Sequence, residues 1–179
     1  MDARVAKQAL RRAASLAVDV DGLVRVPAEA TRSSPAVSFA SAELGHLYDL
    51  LIDDPDLNGC SHQLFENGHY AQAVEEAFKF VNNLVKQRSG LAADGSSLMN
   101  TAFSANAPVL KLSKLTTQSQ RDQQLGYMQM LSGAMVGIRN PRAHEHGHLE
   151  EPRVALELMC FANHLVRAIK RATRARKGK

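Results

Sequence analysis

The sequence predicts an all-α protein, an up-and-down bundle of four or five helices behind an N-terminal extension. Three observations carry this expectation. Apolar residues recur at steps of three and four in three long segments, as they do along one face of a helix. Turn-forming residues at Asn67-Gly68, Gly90, Asp94-Gly95 and Pro141 separate the helical segments. No strand series and no repeat of solenoid period interrupts the pattern. At 179 residues and 45% hydrophobic content, the chain is long enough for one well-buried core.

The expected elements run in order along the chain. Val5, Ala9, Ala13, Leu16 and Val20 form a weak helical stripe that needs a partner surface. Asp21-Gly22 sits between short Val/Leu runs and permits a small hairpin, and Pro27 to Pro35 reads as a linker. Ser41 suits the N-cap of a helix carrying Leu44, Leu47, Tyr48 and Leu51, which ends before Asp53-Asp54-Pro55-Asp56. A boundary is expected near Asn58, with residues 1–58 as the extension, 59–175 as the helical domain and 176–179 as a basic tail. Within the domain, His62, Leu64 and Phe65 belong to a short helix.

A long helix follows at about 69–87, with Tyr70, Val74, Ala77, Val81 and Leu84 on one face and Phe78 and Val85 widening it. Gly90 ends it, and Ser96 or Ser97 can cap a short helix reaching Phe103. Residues 105–118 read as loop. The next helix, about 119–138, repeats the pattern through Leu125, Met128, Leu131, Met135 and Ile138, and is expected to stop before Pro141. Pro152 suits the first turn of the last helix, whose stripe is Val154, Leu158, Phe161, Leu165 and Ala168.

Charge and cysteine usage narrow the function classes. Seven basic residues and no acid lie between His164 and Lys179, and subtracting them from the net charge of +4 leaves a body of −3. The pI near 9.3 therefore reflects a basic helix end on a mildly acidic body, an arrangement that more often complements a helix dipole than binds nucleic acid. Cys60 and Cys160 show no C-x-x-C spacing and are expected to be reduced, small core residues. No apolar run approaches the roughly 18–20 residues of a spanning helix, and no secretory signal opens the chain. A cytoplasmic protein without membrane contact is expected.

The chemistry concentrates in Gly137-Ile138-Arg139-Asn140-Pro141-Arg142-Ala143-His144-Glu145-His146, where a helix carrying an apolar stripe meets a proline. Read alone, Arg139 bonds terminal carbonyls and His144 is a loop residue. Arg139-Asn140 followed by His144, however, resembles the R-N-x-x-x-H form of the HEPN motif. Phe65-Glu66-Asn67-Gly68-His69-Tyr70 with Ala71, then Val74-Glu75, Phe78 and Lys79, then Asp94-Gly95-Ser96-Ser97-Leu98-Met99, and finally Gly137 to His144 together resemble the prokaryotic TIGR02391, or Ymh, family over about residues 59–175.

The resemblance implies a HEPN-like homodimer with facing motifs and metal-independent cleavage of RNA, in a toxin–antitoxin or abortive-infection (antiviral) setting with an antitoxin or regulatory partner protein. His144 would then transfer protons, Arg139 would bind phosphate and Asn140 would orient either. Arg142, Glu75, Lys79 and His146 are accessory candidates for substrate binding, although Glu75 also stands four residues before Lys79, the spacing of a surface ion pair. No cofactor and no metal is expected. The alternation of His144, His146 and His148 suggests ligation, but no carboxylate or cysteine pattern specifies a geometry. The competing function is a non-catalytic HEPN dimer that binds a protein or nucleic acid, the motif serving dimer packing. Silencing by nucleotide modification is disfavoured, because His146 stands where such toxins carry a tyrosine.

Overall fold

The computed structural model describes residues 41–144 and 150–175. The expected N-terminal helix and hairpin, and the four-residue tail, lie outside them. Six helices of eight residues or more make up the fold: α1 Ser41–Leu51, α2 Pro55–Glu66, α3 Tyr70–Ser89, α4 Gly95–Ala102, α5 Gln118–Ala134 and, after a π turn and the short α6 at Asn140–His144, α7 Pro152–Arg171. The all-α expectation holds, and the two helices expected ahead of the long one are both present, the second starting earlier than expected, at Pro55.

The expected boundary at Asn58 falls inside α2 and is corrected by packing. Asp54 caps α2, its carboxylate accepting from the backbone N–H groups of Asp56 and Leu57, with Pro55 in the first turn. Leu44, Tyr48, Ile52 and Leu57 are buried in the same apolar cluster as the rest of the domain. Tyr48 also shares a hydrogen bond of 2.8 Å with Ser61. The core therefore begins at Leu44, and polar groups of α7 secure that end. Asn163 donates to the Leu51 carbonyl and to Asp53, and the Lys170 ammonium meets both Asp54 and Asp56 at 2.7 Å. Part of the basic helix end is thus committed to acids of the α1–α2 junction.

Helix α3 is the central element, burying Val74, Ala77, Phe78, Val81 and Val85 against its neighbours. Gly90 stops it in the left-handed region at φ 71°, and its N–H bonds the Lys86 carbonyl. Asp94, rather than Ser96 or Ser97, occupies the N-cap of α4.

The expected loop at 105–118 contains β1 Leu110–Lys111, paired antiparallel with β2 Thr173–Arg174. Fully buried Gln124 of α5 organises this stretch. Its amide donates to the Phe103 and Leu110 carbonyls at 3.2 and 2.9 Å, and its carbonyl accepts the Leu112 N–H at 3.0 Å. A side chain thus supplies the bonds that a longer sheet would otherwise provide.

Helix α5 opens on a Thr117/Gln120 capping box. Leu131 and Met135 of its expected stripe are buried, but Leu125 is 38% exposed. Helix α7 buries Ala155, Met159, Ala162, Val166 and Ile169 together with Leu165 and Ala168 of the expected stripe, while Leu158 and Phe161 are partly buried against the core and Val154 stands at the rim. Both stripes have the same four-three spacing. Among the described residues no helix is long and apolar enough to cross a membrane.

Candidate functional site

The main departure from the expected structure lies at the motif itself. The helix does not end before Pro141. It widens into a π turn over Met135–Arg139, in which the Asn140 N–H reaches the Met135 carbonyl, and then continues as α6. Proline has no N–H to give and crowds the preceding turn, so a helix can run through it only where the register ahead is relaxed. Arg142 helps at the same point by donating to the Ile138 carbonyl at 2.8 Å.

This register brings Arg139 and Asn140 together. The Arg139 guanidinium donates to the Asn140 side-chain oxygen at 3.3 Å, while its Nε is buried without a hydrogen-bond partner among the described residues. His144 follows Asn140 by four residues on α6, one helical turn further along the same face. The His144 side chain, and His146 and His148 altogether, lie outside the described residues.

The π turn and α6 pack against α3, which presents a polar strip with steps of four, three and four: Glu75, Lys79, Asn82 and Lys86. The Lys79 ammonium contacts Glu75 at 2.9 Å and Glu76 at 2.7 Å, and these two carboxylates, Glu76 foremost, hold its pKa above the usual lysine value. Glu75 and Lys79 are therefore the ion pair that their spacing suggested.

Further along the strip, Asn82 is buried at 5% exposure and uses both ends of its amide. It donates to Asp94 at 2.6 Å and accepts the Gly95 N–H at 3.0 Å. Lys86 meets the same Asp94 oxygen at 3.0 Å. Lys86 and then Asn82 hold the Asp94 carboxyl below its usual range, and the positive charge of Arg139 adds a smaller share.

Sequence reasoning missed Asn82, Lys86 and Asp94 as site residues. The available signal was an asparagine between Val81 and Leu84, at the edge of the apolar face and in step with Glu75 and Lys79. Asp94-Gly95 on its own signals only a turn.

Arg142 is corrected. It was expected at the phosphate, but its side chain, 8% exposed, is engaged in a close ion pair with Glu150, itself 9% exposed. Burial lowers its pKa from the ordinary arginine value, and its role in this arrangement is to tie α6 to the segment entering α7. Cys60 and Cys160 are free and partly buried, packed against the core, and burial pushes both thiols up. Among the described residues no group of three or more His, Cys, Asp or Glu is placed to hold a metal ion.

Chemically, the arrangement offers a guanidinium oriented by a neighbouring amide, on a rigid helical turn, with an acid–amide–ammonium cluster beside it. Such a cationic fork suits a phosphodiester. Neither the curated proteins nor the solved structures gave a match to the chain. The family model described as "Protein of unknown function (Hypoth_ymh)" matches residues 54–169, from the Asp54 cap to Ile169 in α7, and the chain belongs to this Ymh family.

Proposed function

We propose that this protein is a HEPN-type endoribonuclease that works without a metal, as a cytoplasmic homodimer, and serves as a toxin or abortive-infection effector. The observation that carries the proposal is the π turn. It holds Arg139 against Asn140 one helical turn ahead of His144, so the three motif residues ride on one continuous helix rather than on a loose loop. Active-site groups gain most from this kind of preorganisation, and π turns recur at functional sites.

In the proposed reaction the 2′-oxygen of a ribose attacks the adjacent phosphorus, and the bond to the 5′-oxygen of the next nucleotide breaks. His144 of one subunit accepts the 2′-hydroxyl proton, and His144 of the other gives a proton to the departing oxygen. Arg139 neutralises the charge that builds on the phosphorane, and Asn140 keeps its fork aimed. The products are a 2′,3′-cyclic phosphate and a 5′-hydroxyl. Two imidazoles and a guanidinium supply the acid, the base and the electrophile for this chemistry.

The surface around the motif supports a facing second copy. Met130 is 39% and Val136 56% exposed on α5 and the π turn, beside Gly133 and Gly137, where an added Cβ would meet nothing within 4 Å. That apolar, low-relief face runs directly into Asn140. The test is cleavage of total RNA and tRNA in EDTA by wild type, Arg139→Ala and His144→Ala. Cleavage by wild type alone, leaving cyclic phosphate ends, is expected. Equal inertness of folded dimers would favour a non-catalytic dimer that binds a partner.

A further inference from the structure

A second polar site lies toward the opposite end of α5 from the motif. Leu112, Gln123, Tyr127, Ala168 and Arg171 line a cleft of about 290 Å³ between α5, α7 and the segment after β1. Tyr127 lies 12 residues before Arg139, which at ~1.5 Å of rise per residue separates the two by about 18 Å along the helix. Tyr127 is stacked on His164, with ring centroids 5.7 Å apart and planes 22° apart, and the phenol and the His164 Nε2 share a hydrogen bond of 2.8 Å. The stacking and the hydrogen bond together hold the Tyr127 ring in place between α5 and α7.

Two turns beyond His164, Arg171 brings an exposed guanidinium to the same cleft. It makes no ion pair among the described residues, whereas Arg167 and Lys170 of the same helix are engaged with Asp53, Asp54 and Asp56. No lining residue is acidic, and Asp122, next to Gln123 in the chain, accepts from Gln118 at 2.7 Å. The lining thus combines a ring face for stacking, an uncommitted cation, a primary amide able both to donate and to accept, and an apolar floor. The volume sits at the bottom of the ~300–1,000 Å³ range of small-molecule pockets, which suits a single nucleotide.

We propose that the Tyr127–Arg171 cleft is a binding site for one unpaired nucleotide of a single-stranded RNA, its base on the Tyr127 ring and its phosphate on Arg171. The inference deepens the ribonuclease reading and rests on it for the choice of RNA as ligand. A strand held here and at Arg139 would be engaged along one side of the α5–α7 pair, and the cleft would select unpaired substrate, since a stacked duplex offers no free base face.

The test is fluorescence anisotropy on the full chain with a labelled 2′-O-methyl oligouridine of about ten nucleotides, which lacks the hydroxyl that the proposed cleavage needs. Arg171→Gln is expected to weaken binding roughly 5- to 10-fold and to reduce the salt slope by about 0.7. Tyr127→Ala is expected to weaken it roughly tenfold, and Tyr127→Phe, which keeps the ring, by less than about threefold. Arg171 is exposed, so its variant stays informative even if Tyr127→Ala is poorly folded. Wild-type affinity in Arg171→Gln, absence of wild-type binding, or equal displacement by polyglutamate of similar length would each overturn the proposal. Weakened binding in the variants without cleavage of natural RNA keeps the cleft and removes the nuclease. Cleavage of natural RNA with unaltered binding in Arg171→Gln does the reverse.

Discussion

Replacing Asn82 with alanine removes two hydrogen bonds from a buried position in the middle of α3. One runs to the charged Asp94 at 2.6 Å and the other comes from the Gly95 N–H at 3.0 Å. Bonds to charged groups contribute about 1.5–3 kcal/mol and neutral ones about 0.5–1.5. The Asp94 side chain is 54% exposed and regains water, so the lower ends apply and a loss of about 2 kcal/mol is expected. With a urea m-value of about 2 kcal/mol/M, the midpoint should fall by about 1 M at unchanged slope.

Lys86→Met provides the control. Its pair with the same carboxylate joins a side chain 37% exposed to one 54% exposed, and such pairs contribute about 0–1 kcal/mol. If Lys86→Met costs as much as Asn82→Ala, or if the Asn82 midpoint moves by less than about 0.3 M, the view of Asn82 as the anchor of α4 beside Arg139 is refuted.

Other perturbations follow the same physics. Gln124→Leu strands two buried carbonyls and one N–H and should cost about 3 kcal/mol, with the Leu112 amide exchanging far faster by hydrogen–deuterium exchange; an unchanged exchange rate there would argue against the clamp. Arg142→Ala removes the guanidinium facing buried Glu150 and should lower stability by about 3–5 kcal/mol, while Arg142→Met with Glu150→Leu recovers most of it. Loss of activity at full stability would return Arg142 to the phosphate. Burial pushes the Tyr48 phenol up to about 12. Because its folded value lies above the unfolded one near 10, its contribution is intact below pH 10 and is lost as pH rises toward 12, and Tyr48→Phe should flatten that alkaline decline.

Helical periodicity made most of the fold legible. The 70–89 helix appeared within two residues of its expected ends, because seven apolar positions from Tyr70 to Val85 repeat one face and Gly90 gives a left-handed stop. Spacing alone did not say how wide the inward face of α7 is, since 154-158-161-165 and 155-159-162-166 have the same period; the second is buried throughout, and Leu165 and Ala168 of the first are buried with it. The boundary at Asn58 was misplaced because Asp53-Asp54-Pro55-Asp56 reads equally as a linker and as a capped helix start. What distinguishes the two is Asn163 and Lys170, more than a hundred residues away.

At the site, the motif residues were visible in the sequence but their register was not. A proline four residues after Gly137 argues for a helix end by local rules, and the π turn that lets the helix continue is a tertiary solution with no sequence period. Arg142 illustrates the same limit. Its place in the motif suggested phosphate, and its commitment to Glu150 depends on where the chain returns before α7.

The most direct measurement of the central claim is cleavage of purified tRNA by wild type, Arg139→Ala and His144→Ala in EDTA, with the oligomeric state of each followed by light scattering. A dimer is expected in every case, and 2′,3′-cyclic phosphate ends from the wild type alone. Cleavage that survives in both variants, or that vanishes on chelation in the wild type, would contradict the claim.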